Sequence, residues 1–292
     1  MKRSVGDKLF DISIYAFLSI VLLVTIYPLF FVVLASFSDP LAVLGGKVLW
    51  RPISPNLKAY QMVFRYQLVL TGYRNTLMYT SAGTVLNVMM TIAAAYPISR
   101  LYLKGRQVII GMMLFTMFFT GGLIPTYIMI HQMGMLNTFW VMIIPNAVAV
   151  WNIMIMRTFF ITSIPRELEE AALVDGSSHI KTLLRIVLPL SKPIIAVMVV
   201  FYAVGHWNSY FNGLIFLSSE SKFPLQLVLR AILIQNQRPA ELFAMSDTYS
   251  RQMMAETMKY ALIIISSLPV LMLYPFAQRF FVQGIMIGSV KG

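Results

Sequence analysis

Glu169-Glu170-Ala171-Ala172-Leu173-Val174-Asp175-Gly176, followed by Ile186-Val187-Leu188-Pro189, is the stretch around which the chain is organised. It is a polar segment between two strongly hydrophobic runs, and it carries helix signals of its own. Pro165 suits a first helical turn, with Ser163 ahead of it as N-cap. Glu167, Glu169 and Glu170 sit near the positive end of the helix dipole. Gly176 follows Asp175 where a left-handed C-cap is wanted. A second start falls at Ser177-Ser178, after which Ile180, Leu183, Leu184 and Val187 recur at helical spacing. Lys181 and Arg185 lie one turn apart on the other side. The segment therefore reads as helix, glycine turn, helix, stopped at Pro189: a two-helix bracket over about 163–190 with an apolar stripe, suited to docking.

Composition decides what lies on either side. The chain has 292 residues, 58% hydrophobic and 12% charged, with mean hydropathy +0.75. Soluble domains carry about a quarter charged residues, so this is an all-α polytopic membrane protein. A spanning helix needs about 20 mostly apolar residues. Six segments qualify: about 12–37, 73–98, 107–131, 138–160, 192–217 and 258–282. The run after Met1-Lys2-Arg3 is too long for a signal-peptide core and reads as a retained first helix. No repeat or linker divides the chain, so residues 1–292 read as a single membrane domain. Net charge is +12, but the basic residues are scattered through loops without a nucleic-acid signature, so the bilayer and not nucleic acid is the expected partner. Lys2, Arg3 and Lys8, with Arg100, Lys104 and Arg106, favour both termini on the cytoplasmic side.

Two long segments then lie outside, about 38–72 and 218–257. Leu225, Val228 and Ile232 have helical spacing and predict a short helix over 224–235; 235–239 reads as a loop and 241–258 as another short helix. The outer segments, with the first residues of the spans that follow them, hold ten basic residues (47, 51, 58, 65, 74, 222, 230, 238, 251, 259) against five acids (39, 220, 241, 247, 256). This excess opposes the usual bias. It would suit an anionic sugar such as a uronate oligomer, an acidic solute-binding protein, or anionic lipid headgroups.

The missing chemistry narrows the function. No phosphate-binding Gly-x-x-x-x-Gly-Lys-Ser/Thr loop occurs, and the chain has no cysteine. His131, His179 and His206 are far apart in sequence, and no metal-ligand spacing is present, so no catalytic, cofactor or metal site is expected. The predicted spans are almost free of acids, which argues against a proton-coupled transporter. They do carry uncharged polar groups: Asn87, Asn146, Trp151, Asn152 and the run His206-Trp207-Asn208-Ser209-Tyr210-Phe211-Asn212. Asn208 and Asn212 would share one helix face. Amides with aromatics suit neutral sugar surfaces, so Asn87, Asn146, Asn152, Trp207, Asn208, Tyr210 and Asn212 are candidates for a substrate path. The alternative is interhelical hydrogen bonding. Pro97, Pro125, Pro145, Pro269 and Pro275 would kink helices, and the 21 methionines read as adaptable packing.

The bracket also carries a resemblance. Glu170-Ala171-Ala172, two residues, Asp175-Gly176, nine residues, Ile186-x-Leu188-Pro189 is similar to the cytoplasmic EAA loop of permease subunits in ATP-driven (ABC) importers; Ser177 departs from the usual alanine. The tail Gly288-Ser289-Val290-Lys291-Gly292 resembles the end of maltose-type carbohydrate permeases. The resemblance covers the whole chain and is closest to the branch associated with complex oligosaccharides. It implies the six-helix type I importer permease fold with a cytoplasmic coupling helix, in the bacterial inner membrane. It implies a second permease subunit, two cytoplasmic ATPase subunits that bind the ATP, and an extracytoplasmic solute-binding protein, with transport by alternating access and no catalysis by this chain itself. Glu170, Ala171, Ala172, Asp175, Gly176, Ile186, Leu188 and Pro189 would couple to the ATPase: Ala171, Ala172 and Ile180 fill its groove, Glu170 pairs with a basic group, and the tail reaches between the ATPases. The partner permease can hold most substrate contacts.

Overall fold

In the computed structural model, residues 5–233, 258–275 and 278 are described, and every regular element among them is helical. They divide into two compact units, with boundaries at Val69/Leu70, Val228/Leu229 and Leu268/Pro269.

The first unit contains α1 (Val5–Phe37), α2 (Pro40–Leu44) and α3 (Lys58–Arg65). α1 exposes apolar side chains along its length, from Leu9 to Val33, as a lipid-facing helix does. Its end is tied down by short polar contacts. Asp39 caps α2 by accepting from the Leu41 amide, the Ser38 hydroxyl accepts from the Ile53 amide at 3.2 Å, and Leu34, Ala42 and Val48 form a small core beneath them.

The second unit begins within α4 (Gln67–Ser99), at Leu70, and continues with α5 (Arg106–Phe118) and α6 (Leu123–Gln132). Two 3-10 turns, Trp140–Met142 and Ile144–Asn146, lead into α7 (Val150–Thr162). Then come α8 (Arg166–Val174), α9 (His179–Thr182), a π-helical stretch Leu183–Val187 and α10 (Leu188–Leu190). They are followed by α11 (Lys192–Trp207), α12 (Phe211–Phe216) and the first part of α13 (Leu225–Leu233), whose residues from Leu229 belong to the first unit. One buried cluster joins α4, α7 and α11 through Val88, Ala95, Met156, Phe160, Met198 and Tyr202. α13 forms where the leucine and valine spacing predicts it, with Leu225, Val228 and Ile232 all buried. Its first turn crosses α4 at Gly72, where an added Cβ would stand 3.2 Å from the Leu225 Cα. The next described helix, α14 (Met258–Pro275), starts in the first unit.

Among the described residues, three unbroken helices are long and apolar enough to cross a membrane: Gly6–Phe37, Gln67–Ser99 and Met258–Pro275. The first two are longer than expected, and the predicted sixth span beyond residue 275 lies outside the described residues apart from 278. The expected third span is broken: α5 and α6 meet at 111°. Gly122 between them has φ +85°, a conformation that an L side chain resists. The expected fourth span bends by 53° at the break between Asn146 and Val150, where Ala149 is extended. The expected fifth span ends at Trp207 and restarts at Phe211. Asn208 terminates α11, its amide bonded to the Val204 carbonyl at 3.1 Å, so Asn208 and Asn212 do not share a continuous helical face.

Candidate functional site

The bracket is built from short helices joined by a defined turn. Pro165, with extended ψ 132°, is itself the N-cap of α8. Ser163 instead ends α7, its amide bonding the Phe159 carbonyl at 2.9 Å; the extended proline separates it from α8. At the other end, the Gly176 amide donates to the Leu173 carbonyl at 3.0 Å and the Ser177 amide to the Ala172 carbonyl at 2.9 Å. This pair of bonds is a Schellman cap. It requires the left-handed backbone that Gly176 adopts at φ +76°. Ser178 then caps α9 by accepting from the Lys181 amide.

The second helix is not stopped at Pro189. Leu188 donates to the Leu183 carbonyl, five residues back, and this widened turn admits the proline ring that an α-turn would reject. Helix continues to Leu190, and the chain turns by 83° only at Ser191, into α11.

Exposure sorts the bracket residues. Glu170, Ala171, Asp175, Gly176 and Pro189 are exposed, while Ile186 and Leu188 are half-buried. Ala172 is buried against the chain itself. It cannot enter a partner's groove as expected, because it shares the inward face of α8 with Glu169, three residues earlier. The outward apolar residues are Leu168, Leu173, Val174, Ile180 and Leu184, with Val174 88% exposed. Val187 points inward and joins the core.

A second set of residues holds the bracket from beneath. Arg100, just past the end of α4, forms an ion pair with Glu169, both side chains buried. Its guanidinium also lies 4.6 Å from the centre of the Tyr96 ring, a cation–π position. Burial raises the Glu169 carboxyl above its ordinary 4.5, more than Arg100 pulls it down. Two residues on, Tyr102 stacks on His179 of α9 at 5.0 Å, and its hydroxyl meets Nδ1 at 3.2 Å. Arg157 Nε of α7 donates to the Ile98 carbonyl at 3.1 Å. Sequence reasoning assigned Arg100 only to the membrane-side charge bias and Glu169 only to a helix dipole. Nothing local in either segment signals their pairing.

The candidate substrate-path residues differ in their settings, and two of them, Asn87 and Asn146, are in contact. Asn87 is buried and fully engaged: its amide nitrogen donates to the Asn146 carbonyl at 2.6 Å, and its oxygen meets His206 Nε2 at 3.0 Å. Nearby, Thr91 and Tyr202 share a hydroxyl bond at 2.6 Å. Asn87 thus acts as an interhelical tie, as does His206, whose ring fills the space above Gly83. Trp207 is buried, edge-on to Tyr73 at 5.5 Å. Asn152 is buried in α7, Asn146, Asn208 and Tyr210 are exposed, and Asn212 is half-buried. Gly288 to Gly292 lie outside the described residues. Among the described residues, no cluster of His, Cys, Asp and Glu could hold a metal ion.

Membrane-length helices, some of them bent, with a rigidly capped polar bracket define a helical membrane protein. Comparison with known proteins specifies which. No family model matches the chain. It is 37% identical to Protein LplC of Bacillus subtilis over 100% of this chain and 98% of that protein. It is 36% identical to the polygalacturonan/rhamnogalacturonan transport system permease protein YtcP of the same organism, over 98% and 99% of the two chains. Among solved structures, a chain of a bacterial ABC transporter that imports the acidic polysaccharide alginate superposes with TM-score 0.88 at 30% identity, covering 96% of this chain and 99% of that one. The chain belongs to the permease subunits of carbohydrate ABC importers.

Proposed function

We propose that this permease forms the membrane path of an oligosaccharide importer whose cargo is anionic, with the 163–190 bracket as its cytoplasmic coupling element. On this reading α5 with α6, the stretch from 140 to 162, and α11 with α12 each count as one span beside α1, α4 and α14, giving six spans with both termini cytoplasmic in a bacterial inner membrane. A second permease completes the path, two ATPase subunits bind the ATP, and a solute-binding protein delivers the sugar. ATP-driven closure of the ATPases displaces the bracket, and the cavity opens outward. Glu170, Ala171, Asp175 and Gly176, with Ile186, Leu188 and Pro189 behind them, carry that displacement, and the tail 288–292 reaches between the ATPases.

The observation that carries the coupling role is the bracket's outward face. Leu173, Val174, Ile180 and Leu184 are exposed on short helices fixed by a Schellman cap. A face of this kind needs a partner to cover it, and rigid caps transmit displacement that a loose loop would absorb. Retention of the ATPase subunits by the affinity-purified permease, and their loss in Glu170→Lys, tests this.

The anionic cargo is supported by the basic excess of the outer segments and by two relatives, the polygalacturonan/rhamnogalacturonan permease and the alginate importer. Uptake of uronate oligomers that weakens with added salt is the expected result. Salt-insensitive uptake with preference for neutral oligosaccharides refutes it.

A further inference from the structure

The bracket is joined to the membrane helices by its own ends, α7 before it and α11 after it. The structure adds a third connection that the chain's order does not require. The short segment after α4 touches both halves of the bracket: Arg100 pairs with Glu169 of α8, and Tyr102 stacks on His179 of α9. The Arg100 end is itself anchored, its amide bonding the Pro97 carbonyl at 3.1 Å and its guanidinium lying over Tyr96 within α4. Both members of the ion pair are buried, so their attraction is little screened by solvent.

We propose that Arg100 and Tyr102 are positioning residues that make the cytoplasmic end of α4 and the bracket move as one body, so that displacement of the bracket is delivered directly to α4. α4 then passes it inward, because it holds Asn87 against His206 and Thr91 against Tyr202 of α11. The inference rests on the coupling role proposed for the bracket. It adds that the segment from Arg100 to Tyr102 is part of the same device, although it lies outside the bracket.

A buried ion pair is a poor source of stability but costly to break on one side only. The informative variant therefore removes both charges and keeps the volume: Arg100→Met with Glu169→Leu. It is tested in the complete transporter in lipid nanodiscs, with binding protein and uronate oligomer. The expected result is normal assembly and basal ATP hydrolysis, with solute-stimulated hydrolysis reduced at least about tenfold, within the range of typical coupling between sites. Arg100→Lys recovers part of it. The chain has no cysteine, so spin labels at Leu101→Cys and Glu167→Cys, both exposed, read the motion directly. Their separation stays constant between nucleotide-free and ATP-trapped states, and changes between those states once the two charges are removed. Wild-type stimulation in the double variant, a label separation that shifts in the otherwise native complex, or loss of the double variant from the membrane each overturns the inference. Glu170→Lys separates the two readings. If it leaves the complex assembled and stimulated, the coupling role of the bracket fails; if it abolishes coupling while the double variant is normal, only the Arg100 inference fails.

Discussion

Substitution of Gly176 tests whether the turn inside the bracket works through its backbone. Gly176 has φ +76°, and nothing lies within 4 Å of a Cβ added there. Any effect of a side chain is therefore conformational strain, not collision. Holding an L residue in this region costs roughly 1–2 kcal/mol. Escaping it would break the Gly176 to Leu173 and Ser177 to Ala172 bonds, each worth about 0.5–1.5 kcal/mol net. The two costs are similar, so Gly176→Ala leaves the turn divided between closed and open forms. Gly176→Asn stays closed, since asparagine tolerates left-handed backbone. Gly176→Val adds β-branched strain and opens the turn. Gly176→Pro fixes φ near −65° and removes the donor, so it cannot form the cap at all. Solute-stimulated ATP hydrolysis in proteoliposomes should fall in the order Gly, Asn, Ala, Val, Pro, with Asn within about twofold of wild type and Pro abolished. Normal stimulation with valine or proline refutes the reasoning. So does asparagine as damaging as valine, which would mean that the position needs an empty surface and not a particular backbone.

Three further outcomes follow from the same structure. Gly83→Ala drives a Cβ into the His206 ring and should destabilise the purified permease by about 1–3 kcal/mol, as overpacking does, seen as a lower thermal midpoint; an unchanged midpoint argues against tight α4–α11 packing. Val174→Glu puts a charge on the outward apolar face and should release the ATPase subunits in a pull-down while the permease stays in the membrane; full retention would exclude this face as the dock. Glu169 titrates above its ordinary 4.5, so the folded protein binds its proton more tightly than the unfolded chain does. That contribution is fully present below pH 4.5 and is lost as pH rises through the raised value. The thermal midpoint of the wild type should therefore fall relative to Glu169→Gln as pH rises over this range, and a constant difference would refute the assignment.

The sequence was most legible where structure is set locally. Hydropathy located α1, α4 and α14 because lipid demands a long uninterrupted run of apolar residues. The Asp175-Gly176 turn and the Ser178 cap could be read because each depends on a few adjacent residues. The breaks were not legible in the same way. Gly121-Gly122 and Pro125 are compatible with a kinked continuous helix as well as with the bend observed, and the extended backbone of Phe119 with the positive φ of Gly122 separates the two. Pro189 signals a stop unless the helix widens before it, and nothing in Leu183 to Val187 announces a π-turn. The candidate site was half visible: the motif marked the bracket, but the inward turn of Ala172 follows from how α8 rolls against its neighbours. The grip of Arg100 on Glu169 is a tertiary contact with no periodicity to betray it. Asn87 was correctly noticed as a costly group in lipid, and its hydrogen bonds to Asn146 and His206 explain how that cost is met.

The exposure of α1 bears on how the protein is made. Its 33 residues extend about 50 Å at 1.5 Å each, well beyond the ~30 Å of a bilayer's hydrocarbon interior. Its most apolar window has mean hydropathy 2.7 and is only 6% buried by protein. Apart from the carbonyl that Pro28 leaves without its helical amide partner, its backbone bonds are internal. During synthesis α1 can therefore leave the insertion machinery and settle in lipid before the helices after it exist. The broken helices cannot do the same: at their bends, polar backbone groups must wait for neighbours or water. On these grounds α1 should enter lipid early in biogenesis, and the bent segments later, with the companions that cover their bends.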